Sequence, residues 1–230
     1  MNSVHCIVPA RLGSSRFPGK PLVLIRGREM ILRTLDRARD AGCFDRIVCA
    51  TDSLKIASLV EKSGYEAVMT GVCATGSDRV YEASQKLDLD LVVNLQGDEP
   101  VADLGMLRDV KNALVAEPEA WVTASCYLSP EDYQTASIVK VKAEDGYAVA
   151  FSRSLPETAT GWQTHRGVYA YSRKAREEFH GLSQTEEEMK NSLEQLRILG
   201  RRPIRVVYSN AVSLSVDIPS DVEKVECLVQ

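Results

Sequence analysis

Apolar and polar positions along this chain fall into two regimes. In the first half, short apolar runs alternate with segments of helical period. Val4 to Pro9 (VHCIVP) is an apolar run that passes directly into a loop rich in Gly, Ser, Arg and Pro, the mark of a buried strand. From Glu29 to Ala41, the residues Met30, Ile31, Leu35 and Ala38 recur at helical spacing, and Gly42 ends the run. Arg46 to Ala50 (RIVCA) predicts the second strand, and Tyr65 to Met69 a third. Between them, Leu54 to Lys62 predicts a helix capped by Ser53 or Asp52. Ser77 to Leu87 predicts another helix, and Leu91 to Leu95 (LVVNL) a strongly apolar strand.

The second half changes character. Trp121 to Tyr127, Ile138 to Lys142, Ala148 to Ser152 and Gly167 to Tyr171 predict strands joined by turns, with Asp145-Gly146 placed for a tight hairpin. A polar helix from about Thr185 to Leu199, a strand at Ile204 to Tyr208 and a last helix from Ser220 complete the pattern. Strands that alternate with helices require crossover connections. The expected fold class is therefore α/β: a mainly parallel sheet with helices on both faces and a small inserted β sheet. No internal repeat or linker interrupts the chain, so residues 1–230 read as one domain, with a smaller β subdomain at about 121–185.

Hydrophobic residues make up 44% and charged residues 26% of the chain, globular proportions that argue against disorder. With 28 Lys and Arg against 32 Asp and Glu, the formal net charge is −4. That balance gives no electrostatic basis for binding nucleic acid or an anionic membrane. A polyanionic substrate then needs a local cluster of cations, with or without a metal ion. The six cysteines are scattered without a CxxC pair, and Cys6 and Cys49 sit in apolar runs, where a thiol acts as a small buried hydrophobe. No apolar run is long enough to span a bilayer, and no leader pattern opens the sequence, so a cytoplasmic location is expected.

The stretch Pro9-Ala10-Arg11-Leu12-Gly13-Ser14-Ser15-Arg16-Phe17-Pro18-Gly19-Lys20-Pro21 carries the strongest chemical signal. It follows the first strand, at the carboxyl edge where open α/β sheets bind ligands. Gly13 and Gly19 permit backbone conformations closed to other residues, and amides in such loops can face phosphate oxygens. Arg11, Arg16 and Lys20 add three positive charges, a set suited to a triphosphate. The loop is not a Walker A motif: five residues separate Gly13 from the next Gly-Lys, and Pro21 replaces the hydroxyl residue that would hold magnesium. A basic surface turn is the competing reading, which the position after the first strand disfavours.

Gln96-Gly97-Asp98-Glu99-Pro100 follows Leu91–Leu95 on the same side of the sheet. A carboxylate there is placed to hold magnesium, which takes few carboxylates and completes its octahedron with phosphate and water. A turn or cap is the ordinary alternative. Asp217, in SVDIPSD, is a further acidic point, and it can also precede the last helix with Ser220 as the cap. His5, His165 and His180 are too widely spread for a histidine metal site.

Together these segments resemble the 3-deoxy-manno-octulosonate (Kdo) cytidylyltransferases, the CMP-Kdo synthetases. The likeness runs over nearly the whole chain: IVPARLGSSRFPGKPL at the start, ATGSDRVYEA from Ala74, VVNLQGDEP from Val92 and VKVKAEDGYAVAFSRS from Val139. It continues through HRGVYAYSR from His165, SLEQLRIL from Ser192 and SVDIPSDVEKV from Ser215. The resemblance implies a nucleotidyltransferase-type, Rossmann-like sheet and a homodimer formed through the small subdomain. It also implies Mg2+-dependent transfer of CMP from CTP to the anomeric hydroxyl of a Kdo-type acid, for lipopolysaccharide or capsule synthesis. By the same resemblance, Arg11 and Lys20 bind the CTP phosphates and form the catalytic set with Asp98. Ser15, Arg16 and Gln96 line the nucleotide pocket, Ser77 and Arg79 lie near the cytidine, and Asp98 and Asp217 hold the metal. Arg153, His165, Tyr169, Glu194 and Gln195 shape the sugar pocket, with Arg153 facing the sugar carboxylate.

Each sugar-side residue also has an ordinary structural reading. Tyr169 falls in an alternating strand and suits a core, and His165 suits a hydrogen-bonded turn. Glu194 and Gln195 suit a solvated helix face, where adjacent positions diverge and at most one faces the sugar. Two departures from the family pattern lie on this side: the segment between Arg153 and His165 is short and lacks a basic stretch, and Asn191 stands where Glu is common. An amino-substituted Kdo or another ulosonic acid is therefore an open alternative. A non-catalytic nucleotide-sugar binding protein is the rival of another class, disfavoured because Asp98 and Asp217 are both present. A spore-coat-polysaccharide type protein shares the early loop, and QGDEP and SLEQLR disfavour it.

Overall fold

The first apolar run lies at the centre of the sheet because both of its faces are covered. In the computed structural model, which describes residues 3–13, 17–156, 158–210 and 214–229, this run is β1 (Val4–Ala10). There follow β2 (Leu24–Ile25), β3 (Arg28–Glu29), α1 (Met30–Ala41), β4 (Arg46–Thr51), α2 (Leu54–Lys62), β5 (Glu66–Met69), α3 (Gly76–Lys86) and β6 (Leu91–Leu95). The second half contains α4 (Leu104–Ala116), β7 (Trp121–Cys126), β8 (Lys140–Glu144), β9 (Tyr147–Ser152), β10 (Trp162–Ser172), α5 (Arg173–Gly181), α6 (Glu186–Asn191), β11 (Ile204–Tyr208) and α7 (Ser220–Glu226). Val4, Cys6 and Val8 pack with Ile31 and Leu35 of α1 and Leu107 and Val110 of α4 on one face. Ile7 packs with Val80 and Ala83 of α3 on the other, in a cluster that also takes in Phe179 of α5. Helices thus cover both faces, as the alternation of elements predicts.

Among the described residues, the main sheet runs β5-β4-β1-β6-β10-β7-β11-β9-β8. Its first four strands are parallel, and β10 then enters antiparallel between β6 and β7. The sheet is therefore mixed, where a mainly parallel one was expected. The reason lies in the connections. A parallel neighbour needs a crossover helix, and β10 is reached from the β8–β9 hairpin without one. A register shift between Arg166 and Tyr169 lets β10 serve two partners: its start pairs with β8, and its end with β6. The order β10-β7-β11-β9-β8 consequently closes on itself as a ring. Asp145 and Gly146 turn the β8–β9 hairpin with φ of 51° and 82°, the double positive that such a turn requires.

Two helices escaped the periodicity reading. In α4, the Asp103 carboxylate accepts the Met106 amide at 2.7 Å, and Met106, Leu107, Val110 and Leu114 form a narrow buried stripe. In α5 the buried residues are Ala175, Arg176 and Phe179, too few apolar ones to announce a face. The expected helix from Thr185 to Leu199 is instead broken at Ser192 (φ 52°) into α6 and a 3-10 turn at Glu194–Arg197. Glu188 and Arg197 explain the break. They form a buried pair at 2.5 and 2.8 Å, whereas nine residues of straight helix would separate them by about 13 Å.

The loops after β1 and β6 touch through backbone. A Cβ on Gly97 would lie 2.5 Å from the Pro9 carbonyl oxygen, and the Gly97 carbonyl accepts the Thr34 hydroxyl at 3.1 Å. Gly97→Ala is expected to lower unfolding stability by about 1–3 kcal/mol in urea denaturation, because neither backbone can yield cheaply. Gly13→Ala, with nothing among the described residues within 4 Å of the new carbon, serves as the neutral control. Equal stability of the two variants would contradict this packing.

Candidate active site

The loop after β1 is shaped at Gly19, whose φ of 72° turns the chain into a 3-10 turn at Lys20–Leu22 and whose amide donates to the Leu12 carbonyl. Gly13 has no such constraint. The turn sends Lys20 across the carboxyl edge of the sheet. Its Nζ donates to Asp98 Oδ2 at 2.6 Å and to the Val216 carbonyl at 2.9 Å, and lies 3.9 Å from Asp217 Oδ1. Asp98 and Asp217 meet because Val216 N donates to the Asp98 carbonyl. The Asp221 carboxylate then accepts the amides of Asp217 and Ile218 at 3.0 and 3.1 Å. Ser220 is the first residue of α7 rather than its cap, and the side chain of Asp221 organises this turn instead.

Two cavities, of about 1020 and 220 Å³, open at this rim and share Arg11, Thr75, Gly76, Gln96 and Asp98 in their walls. Lys20 and Arg79 line the smaller one, and Asp217, Arg153, His165, Tyr169, Glu194 and Gln195 the larger. The structure thus gathers nearly every expected site residue around two cavities with shared walls. Ser77 stands behind the wall, 3% exposed, with its hydroxyl donating to Glu194 at 2.9 Å. Arg79 is equally buried and is committed to Asp52 at 2.7 Å and to Thr70. Ser15 and Arg16 lie outside the described residues.

Glu194 and Gln195 both line the cavity. They sit on the 3-10 turn and reach different partners. Glu194 meets the Ser77 hydroxyl and amide at the start of α3, and Gln195 Oε1 accepts the Tyr169 hydroxyl at 3.2 Å. Burial pushes the Glu194 carboxyl up, against hydrogen bonds from Ser77 and Thr75 that lower it. Gln195 Nε2 is buried without a partner among the described residues. Arg153 reaches the same cavity, but its guanidinium donates to the carbonyls of Asn191, Ser192, Ala136 and Ser137 at 2.7–3.4 Å. It ties three segments of wall together.

Sequence reading missed several residues. Asn94, a fully buried polar residue in an otherwise apolar strand, donates to Ser77 Oγ at 3.5 Å and accepts Gln96 Nε2 at 3.4 Å. Its polarity inside LVVNL was the available signal. Arg197 pairs with Glu188, lies 3.7 Å from Asp78 and stacks over Phe179, and so braces the wall from behind. Arg166, beside His165, lines the larger cavity.

The carboxylates of Asp98 and Asp217 already converge on one cation, the Lys20 ammonium. A pair of hard oxygen donors beside a roomy polar cavity suits magnesium, which leaves most of its shell to phosphate and water.

His165 Nε2 lies 2.9 Å from Thr123 Oγ1, whose hydrogen goes to the Val168 carbonyl. The imidazole must therefore donate from Nε2, which leaves Nδ1 as an acceptor. Burial, with Arg166 and Arg153 nearby, holds its pKa down to about 3. The group binds fewer protons folded than unfolded between pH 3 and 6.5, so its contribution is complete above 6.5 and is lost as pH falls toward 3. The His165 ring resonances are expected to stay fixed from pH 8 to 5, and His165→Gln should flatten the acid-side loss of stability. A His165 midpoint near 6.5 would contradict this environment.

The cytidylyltransferase family model matches residues 5–210 of the chain. The 3-deoxy-manno-octulosonate cytidylyltransferase of Syntrophotalea carbinolica is 37% identical, and the match covers 97% of each chain. That of Myxococcus xanthus is 40% identical, over 97% of this chain and 95% of its own. The mitochondrial protein of that name from Arabidopsis thaliana is 38% identical, over 97% of this chain and 82% of its own. Among solved structures, CMP:2-keto-3-deoxy-manno-octonic acid synthetase complexed with CTP matches with a TM-score of 0.91 at 32% identity, covering 99% of this chain and 98% of that one. The 4-diphosphocytidyl-2C-methyl-D-erythritol synthase of Anaerococcus prevotii, 18% identical with a TM-score of 0.66 over 100% of this chain and 99% of its own, shares the fold. The chain belongs to the cytidylyltransferase family, among its 3-deoxy-manno-octulosonate cytidylyltransferases.

Proposed function

We propose that this chain transfers CMP from CTP to the anomeric hydroxyl of a Kdo-type 3-deoxy-ulosonic acid and releases pyrophosphate, with Mg2+ as cofactor. The observation that carries the reading is the convergence of Lys20, Asp98 and Asp217 where the two cavities meet. The reaction joins two anions, so its barrier is electrostatic and positional. Direct in-line attack of the sugar oxygen on the α-phosphorus needs no covalent enzyme intermediate.

Lys20 and Arg11 approach the junction from the loop after β1 and offset charge that builds on the departing pyrophosphate. Asp98 and Asp217 would hold the metal, which would neutralise phosphate charge and make the attacking hydroxyl more acidic. Gln96 lines both cavities and is placed at the boundary between nucleotide and sugar. On the sugar side, the neutral His165 accepts from a hydroxyl, and the unpaired Gln195 amide donates to one. An amino-substituted acid is the second reading, because Asp132 and Glu194 line that wall.

Pyrophosphate release, measured with CTP, UTP and ATP against a panel of sugar acids, tests the assignment. CTP with a Kdo-type acid and magnesium should give turnover, and chelation should stop it. Asp98→Ala should lower turnover by roughly a hundredfold to a thousandfold or more while CTP-independent folding signals persist. An active Asp98→Ala enzyme would remove the metal assignment, and inactivity with every acid would favour a binding protein.

A further inference from the structure

A fully buried lysine stands at the open end of the β8–β9 hairpin. Lys140, the first residue of β8, pairs with Ser152 of β9 and Thr164 of β10 and is 0% exposed. Its ammonium donates to the Thr135 carbonyl at 2.7 Å and to the Arg153 carbonyl at 2.9 Å. Both acceptors are neutral, so the charge has left water for backbone dipoles alone among the described residues. Burial pushes the Lys140 pKa down, and the Asp132 carboxylate raises it. Holding an ammonium here costs more than an apolar side chain of equal length would, so packing does not account for it.

What the ammonium holds is the rim of the larger cavity. Three successive carbonyls of the turn before β8 point at two cations: Thr135 at Lys140, and Ala136 and Ser137 at the Arg153 guanidinium. The Arg153 backbone in turn points its carbonyl at Lys140. The two cations therefore close a ring of contacts across the mouth of the hairpin. Thr135, Ser137, Ile138, Val139 and Arg153 line the larger cavity, and the Val139 carbonyl accepts the His165 amide at 2.9 Å. Lys140 itself lines neither cavity. Val141, the next residue, packs in the core cluster with Phe151 and Tyr169, so Lys140 takes the other face of the strand. It can act on a substrate only through the backbone it holds.

We infer that Lys140 is a positioning residue for the sugar substrate: its buried ammonium fixes the 135–139 turn and the Arg153 backbone in the arrangement that the cavity wall needs. Three donors on one compact charge orient carbonyls from both sides of a hairpin, which an apolar group of the same reach cannot do. The inference rests on the cytidylyl-transfer reading and adds a residue outside the cavity that sets its shape on the sugar side.

The test is steady-state pyrophosphate release with CTP, Mg2+ and 3-deoxy-manno-octulosonate. Wild type, Lys140→Met, Lys140→Gln and Lys142→Met are compared. Methionine keeps most of the stem and removes the donors, and glutamine restores an amide donor without the charge. The Thr135 carbonyl keeps the Ile138 amide in either variant. In Lys140→Met, kcat/KM for the sugar acid should fall by roughly tenfold or more, while the KM for CTP stays within about twofold and so reports an intact fold. Lys140→Gln should show the same selective loss to a smaller degree, and it decides the question if Lys140→Met does not fold. Lys142, on the same strand and paired with Glu144 at 3.1 Å, is the control, and Lys142→Met should behave as wild type. An unchanged kcat/KM for the sugar in the Lys140 variants overturns the inference. So does a KM for CTP that rises in step with that of the sugar, or an equal loss in Lys142→Met. Wild type without turnover on any ulosonic acid overturns the cytidylyl-transfer reading itself, and that result is distinct from an active wild type that tolerates the Lys140 changes.

Discussion

An ammonium group gripped by two carboxylates at the end of a sheet is the interaction on which this site depends. Lys20 comes from the loop after β1, Asp98 from the loop after β6 and Asp217 from the approach to α7. No single element could bring these charges together. The parallel pairing of β1 with β6 places two loops at one edge, and the backbone bond between Val216 and Asp98 adds the third. Both ends of the pair are partly shielded, with side-chain exposures of 14% for Lys20 and 28% for Asp98, so the charges interact more strongly than a surface pair while a ligand can still reach them.

The opposite wall of the cavity is held by a polar layer hidden beneath it. Glu194, Ser77, Asn94 and Gln96 form a chain of contacts from the 3-10 turn, through α3, to the end of β6. Thr75 and Asp78 close the start of α3 with reciprocal hydrogen bonds, and Thr185 and Glu188 do the same for α6. Arg197 spans the two, paired with Glu188 and close to Asp78. The helix starts are therefore satisfied internally, and Glu194 from the 3-10 turn occupies the start of α3, which would otherwise be an open anion site. Shape on the sugar side comes from buried pairs of this kind, which hold a geometry even where their net contribution to stability is small.

Much of the architecture was legible because it follows from periodicity. The apolar runs of β1, β4 and β6, the Asp-Gly hairpin and the helices α1, α2 and α3 emerge from spacing and caps. The antiparallel entry of β10 was not legible, since strand direction depends on which neighbours the chain meets after folding. The helix expected over 185–199 failed because a buried Glu188–Arg197 pair overrode local preference, a tertiary effect that no window of residues displays. In the site, Lys20, Asp98 and Asp217 stood out by residue type and by position after strands. Arg153 stood out only through the family resemblance. Its donation to the carbonyls of Asn191, Ser192, Ala136 and Ser137 is a property of the packed wall.

In the proposed reaction the position that Lys20 fills between Asp98 and Asp217 would pass to a metal ion when CTP binds. An anomalous-scattering map from crystals grown with CTP and Mn2+ tests it most directly. Manganese density is expected beside the Asp98 and Asp217 carboxylates, with Lys20 turned onto a phosphate oxygen. Manganese bound elsewhere, with Lys20 still fastened to Asp98 beside bound CTP, would contradict it.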